Sequence, residues 1–245
     1  TIVYLTGYSR YISLYRIKLS KKSMLLTIRN IGYMIKLGTS AFISEASIAC
    51  MMFLGNYVFI RYLGEDGVAA FSIVCYFFPI IFMVYNAIAQ SAQPIISYNF
   101  GADLSARVRK TLHLSIRTAL ICGICFFAIT ALCSHYIVTL FIDHSYGAFE
   151  IAEKGIPYFA IGYIFFAFNM VGIGYYQSIE RAKRATIITL LRGIVFMLIG
   201  FFALPPLLGV AGIWLAVPLA ELLTTIYIIG VYLKDRRFLN KVTSN

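Results

Sequence analysis

The chain has 245 residues, 60% of them hydrophobic and only 13% charged, with a mean hydropathy of +0.83. Soluble domains carry roughly a quarter of their residues as charges, so this composition excludes a soluble globular domain. The net charge of +11 would suggest nucleic acid, but the Lys and Arg lie between apolar stretches rather than on one face, which excludes that partner and reads as membrane topology.

The chain opens on Thr1 and reaches Arg10 after too few apolar residues for a span or a signal peptide, so it is expected to begin on the cut end of a preceding helix. Residues 11–36 are basic, with Leu25, Ile28, Ile31, Met34 and Ile35 at helical spacing, a pattern suited to lying along an anionic membrane surface. Six apolar stretches follow at about 38–60, 68–92, 114–141, 156–177, 185–204 and 209–233, each near the ~20 residues that cross a bilayer core. Pro205 and Pro206 are expected to split the last pair. The expectation is an all-α polytopic membrane bundle: 1–36 as helix end plus cytoplasmic connector, 37–233 as a six-helix transmembrane lobe, 234–245 as a cytoplasmic tail. A connector after a cut helix implies a larger parent, and the chain is expected to be one half of a transporter of about twelve spans.

Cations sort by side. Arg10, Arg16, Lys18, Lys21, Lys22, Arg29 and Lys36 precede the first span, Arg107, Arg109, Lys110 and Arg117 follow the second, and Arg181, Lys183, Arg184 and Arg192 follow the fourth. Lys234, Arg236, Arg237 and Lys241 close the chain, whereas the opposite loops hold only Arg61 and Lys154 among Glu65, Asp66, Asp143, Glu150 and Glu153. Cations are retained on the cytoplasmic side, so both ends of the lobe are expected there, in the plasma membrane of a cell, with a bacterial inner membrane as the setting.

Polar residues inside the spans carry the chemistry, because each must face a partner or a wet cavity. Glu45 comes first: an acid at a helix centre costs roughly 2.5–3.5 kcal/mol on insertion scales, and such a group can exchange a proton or hold a metal cation. It shares a stripe with Ala49, Met52 and Asn56; the plainer alternative is that it snorkels to water or pairs with Lys36. Asn86, Gln90 and Gln93 form a second stripe ending at Pro94, either lining a wet pathway or bonding between helices. The fourth span offers Asn169, Tyr176 and Gln177 beside Gly172 and Gly174, glycines that suit close helix packing. Glu221 shares a face with Trp214, Pro218 and Thr225, and Arg192 is placed to reach the interface or to clamp it in a structural pair. Cys122 and Cys125 make a CxxC without a second ligand pair, which reads as packing, and His113, His135 and His144 fall at span ends or in loops. With no phosphate loop, no HExxH, no GxSxG and no paired nucleophile and base in the spans, the chain is expected to need no cofactor and not to be an enzyme.

Three segments carry a family likeness: Gln93-Pro94-Ile95-Ile96-Ser97-Tyr98-Asn99-Phe100-Gly101-Ala102, the Leu63-Gly64-Glu65 turn running into Val68-Ala69-Ala70-Phe71, and Gly212-Ile213-Trp214-Leu215-Ala216 continuing to Pro218, Glu221 and Leu222. In their order, behind a basic connector, they resemble the carboxy-terminal lobe of multidrug and toxic compound extrusion (MATE) transporters over nearly the whole chain. The resemblance implies a sodium- or proton-coupled antiporter of two six-helix lobes that expels amphipathic, cationic small molecules by alternating access. It implies that Glu45 is the first-helix acid used for cation coupling or substrate binding, the candidate sodium ligand, and that Asn86 and Gln90 line the cavity. Asn56, Gln93, Asn169, Tyr176 and Glu221 complete the candidate cation- and substrate-binding set, with membrane lipids as further partners. Several relatives carry a second acid on the fourth helix, where this chain has Asn169 and Tyr176. The alternatives are a lipid-linked saccharide flippase of the same superfamily, which would favour an Arg- and Lys-rich cavity, and a membrane scaffold subunit.

Overall fold

The computed structural model describes residues 21–242, with the side chains of 21–27, 29, 33, 36–37, 40 and 236–242 outside the description. The expected cut helix end, with Arg10, Arg16 and Lys18, lies outside the described residues, as do the side chains of Leu25 and Lys36. The chain forms two compact units, Thr1–Gly38 and Thr39–Asn245. In the first, residues 21–38 are helical, and Ile28, Ile31, Met34 and Ile35 are exposed.

All regular elements among the described residues are helices: α1 (Lys21–Gly101), α2 (Ser105–Leu132), α3 (Ser134–Thr139), α4 (Gly147–Ala160), α5 (Gly162–Ser178), α6 (Ala182–Leu190), a π-helical turn (Leu191–Val195), α7 (Phe196–Leu208) and α8 (Val210–Val242). Four stretches are long and apolar enough to cross a membrane: Ala41–Gly101, Ser105–Leu132, Ala182–Leu208 and Val210–Asp235. The first has 61 residues. At 1.5 Å per residue it would rise about 90 Å, three bilayer cores, if it were straight. It is not: Gly64 sits at φ 67°, ψ −155°, a conformation open only to glycine, and breaks α1 into two limbs of span length. The pair α4 and α5, bent by about 40° one turn after Pro157, makes a further broken span. Among the described residues these are four apolar stretches, the first in two limbs, and one bent pair, a polytopic helical membrane bundle.

The last two crossings reverse at Gly209 (φ 59°), one turn beyond the expected proline break; Pro205 and Pro206 remain inside α7. The two helices then run in near-contact, since a Cβ on Gly200 would lie 2.4 Å from the Ala216 carbonyl oxygen and one on Gly212 would lie 2.3 Å from that of Leu204. The span expected at 114–141 is a helix from Ser105 to Leu132 followed by the short α3, and the one expected from 156 starts at Gly147. Hydropathy marks only the apolar part of a helix, whereas backbone pairing continues through Arg107, Arg109, Glu150 and Glu153.

Aromatic rings fill the core. Phe59 and Phe71 stack across the Gly64 break at 4.6 Å, and Trp214 of α8 meets Phe59 edge-on at 4.7 Å, which ties the first hairpin to the last helix. Phe78 stacks on Phe166 of α5 at 5.0 Å. Gly172 and Gly174 pack as expected: added Cβ atoms would meet Ile228 and Ala89 at 3.1 Å.

Charge divides between the two ends. At one, Asp66 beside the Gly64 turn lies against Gly147, whose Cβ would sit 2.7 Å from its Oδ2, and Asp143 accepts the Ser145 backbone N–H at 2.9 Å. That hydrogen bond holds the Asp143 carboxyl below its ordinary range. At the other, Arg181 and Arg184 both donate to Asp235 of α8, Arg181 Nη1 at 2.5 Å.

Candidate functional site

Three helical stripes converge on one cavity of about 170 Å³. Ala41, Ser44 and Glu45 come from the first limb of α1, Asn86, Ala89, Gln90 and Gln93 with Phe82 from the second, and Met170, Ile173, Gly174 and Gln177 from α5. Each set recurs at steps of three and four, so each is one face of its helix. Gly174 lets α5 approach Ala89 closely, which brings the two amide rows within reach. Gln93 Nε2 donates to Gln177 Oε1 at 2.8 Å and joins the second limb to α5 at one edge of the cavity.

Glu45 is exposed on this wall and makes no ion pair or side-chain hydrogen bond among the described residues. Its neighbour Ser44 is buried, and Ser44 Oγ has no hydrogen-bond partner there. The wall therefore offers one carboxylate, one hydroxyl and four amide side chains, all hard oxygen ligands or hydrogen-bonding groups, against Phe82, Met170 and Ile173. Among the described residues no cluster of three or more His, Cys, Asp and Glu could hold a metal ion, so any cation held here would rest on Glu45 with neutral oxygens.

Of the residues singled out from the sequence, Glu45, Asn86, Gln90 and Gln93 meet in this cavity. Asn56, half-buried three turns beyond Glu45 on the same helix, does not line it. Tyr176 packs with Ile96, Ile173 and Ile188 in a separate apolar cluster, its hydroxyl buried without a hydrogen-bond partner among the described residues. Asn169 and Glu221 stand one layer behind the cavity wall in a buried charge network. Arg192 Nε donates to Glu221 Oε1 at 2.8 Å, with the two side chains 2% and 1% exposed. Asn169 Nδ2 donates to Glu221 Oε2 at 2.7 Å and to its backbone oxygen at 2.8 Å, and Thr225 Oγ1 donates to Asn169 Oδ1 at 2.9 Å. The guanidinium lies 4.4 Å over the Phe166 ring, and its Nη1 is 3.7 Å from Met170 Sδ. Met170 thus touches both the cavity and the network.

Ser44 and Met170 were not legible from the sequence. Ser44 differs from any other small residue on its helix only in the neighbour it faces, and Met170 looks like ordinary core. Gln177 was visible as a polar residue in a span, but its partner Gln93 lies 84 positions away.

The fold recurs in solved transporters. A multidrug resistance MATE family transporter of the MOP superfamily, in an outward-facing conformation, superposes with TM-score 0.78 at 16% identity, over 94% of this chain and 49% of that one. A MOP superfamily transporter from Pyrococcus furiosus, described as having a binding pocket of reverse polarity, gives 0.78 at 16% identity, over 94% and 50%. A mutant of the Vibrio cholerae MATE transporter VcmN gives 0.79 at 14% identity, over 94% and 52%. The chain therefore spans about half the length of the solved structures it matches. No curated protein matches it. The MatE family model matches residues 40–202, more than half of the chain. This chain belongs to the MatE family of membrane transporters.

Proposed function

We propose that this chain is the carboxy-terminal lobe of a cation-coupled multidrug antiporter, in which Glu45 is the carboxylate contested by coupling ion and drug. One observation carries the reading: Glu45 is an intramembrane acid on a polar cavity wall, with no internal cation against it among the described residues. The second wall would come from an amino-terminal lobe, in keeping with the half-length match to solved transporters. Residues 1–36 would be the cytoplasmic connector, 37–233 the lobe and 234–245 its cytoplasmic tail, because the cation-rich end of a membrane protein faces the cytoplasm. The setting is a plasma membrane, and a bacterial inner membrane fits.

The mechanism is differential affinity. Facing inward, ionised Glu45 holds an amphipathic cation while Asn86, Gln90 and Gln93 hydrogen-bond it and Phe82 and Met170 cover its apolar part. Facing outward, sodium or a proton neutralises Glu45, releases the cargo and favours return without it; competition for one carboxylate couples the two fluxes. A lipid-linked saccharide flippase would need cations on the cavity wall for pyrophosphate, and Arg192 is committed to Glu221 behind that wall. A scaffold role would leave efflux untouched when Glu45 is neutralised.

The test is efflux of a fluorescent cationic dye from cells expressing the full-length transporter, wild type beside Glu45→Gln at equal membrane abundance, with sodium and proton gradients collapsed in turn. Efflux is expected to disappear with the carboxylate and with one of the gradients. Full efflux by Glu45→Gln would sink the proposal.

A further inference from the structure

We propose that Arg192 is a built-in counter-ion that stands at Glu221 in place of an exchangeable cation, so that Glu45 is the single exchanging carboxylate of this lobe. The inference rests on the proposed function for the role of Glu45, while the assignment of Arg192 stands on the network alone.

Glu221 has what an intramembrane ion-binding acid has: depth in the bundle, a neighbouring amide and hydroxyl in Asn169 and Thr225, and a side chain that touches the layer behind a polar cavity. What differs is its occupancy. Both carboxylate oxygens accept a hydrogen bond, one from the guanidinium and one from Asn169, and the guanidinium is sealed by Phe166 and Met170. The Tyr85 phenol, close enough to feel the Glu221 charge, carries none of its own at neutral pH. Among the described residues Arg192 is then the one charge set against Glu221. A guanidinium stays protonated at any physiological pH, so it neutralises Glu221 permanently and, being tethered, is not carried across the membrane.

The backbone around Arg192 is specialised to the same end. Arg192 sits in the π-helical turn 191–195, an insertion in the helical register of a kind that recurs at functional sites. The next residue is Gly193, where a Cβ would fall 2.3 Å from Ser47 Cβ. The turn is therefore pressed against the helix that carries Ser44 and Glu45, and the arginine is fixed in the layer behind the cavity wall.

The test counts ions on the purified full-length protein in detergent, by equilibrium binding of radioactive sodium and by protons taken up across a pH step, which needs no transport. Removing both charges in the Arg192→Met/Glu221→Gln double variant is expected to leave the count at the wild-type value. Arg192→Gln frees Glu221 and is expected to raise the count by one ion per molecule, and Glu45→Gln is expected to lower it by one. Loss of an ion in the double variant, or no gain in a folded Arg192→Gln protein, overturns the assignment. If Arg192→Gln does not fold, the double variant decides alone. An unchanged count in Glu45→Gln, with the other two as expected, rejects Glu45 as the exchanging group and upholds the assignment of Arg192.

Discussion

Glu45 and Glu221 are the same residue type in neighbouring layers of one bundle, and their surroundings make opposite things of them. Glu45 stands exposed on a polar wall with no cation set against it among the described residues, whereas Glu221 is 1% exposed and closed in by Arg192, Asn169 and Thr225. An acid in a membrane span signals that something must compensate it. Whether the compensation comes from outside, as cargo or ion, or from the chain itself, decides between a site and a clamp.

The largest expected effect breaks that contrast directly. Arg192→Ala strands the buried Glu221 charge and should lower stability by about 3–5 kcal/mol, seen as a lowered unfolding midpoint in detergent, while Arg192→Met/Glu221→Met should come out near neutral because no charge is left unpaired. Equal losses in both would mean that packing, not charge, dominates. Gly193→Ala forces a methyl into Ser47 at the seam between network and cavity wall and should cost about 1–3 kcal/mol by the same assay. Gln93→Ala removes only the bridge to Gln177, worth about 0.6 kcal/mol in a bundle, so it should barely move the midpoint; a large drop would show that the cavity edge is a structural joint. At the bottom of the scale, Glu150→Gln opens a Glu150–Lys154 pair that is 72% exposed on both sides and should change the midpoint by nothing measurable.

Much of the fold was legible in the chain, and the misses have two causes. Hydropathy located the apolar stretches and left the Gly64 break in the gap between two of them, since desolvation depends on local composition. It misjudged the ends at Ser105, Gly147 and Gly209, where hydrogen-bonded backbone runs on through charged or proline residues until a residue with positive φ or a loop stops it. Helical periodicity assembled Asn86, Gln90 and Gln93 into one stripe, and the cavity uses it as a stripe. Periodicity along one helix says nothing about which stripe of another helix lies opposite, so Ser44 and Met170 stayed hidden. For the same reason Asn56 and Tyr176 looked equivalent to residues that reach the cavity.

Composition and the spacing of apolar stretches sufficed to make this chain a polytopic helical membrane protein, because both are set by the transfer of single residues between water and lipid. That Arg192 pairs with Glu221 rather than reaching the interface was decided by the tertiary structure alone. Arg192 and Glu221 are 29 positions apart, and they meet only because a π-helical turn, a glycine against Ser47 and the close packing of α7 on α8 bring them into one dry layer. Pair energies depend on what has been excluded from between two groups, and that is a property of packing rather than of order along the chain.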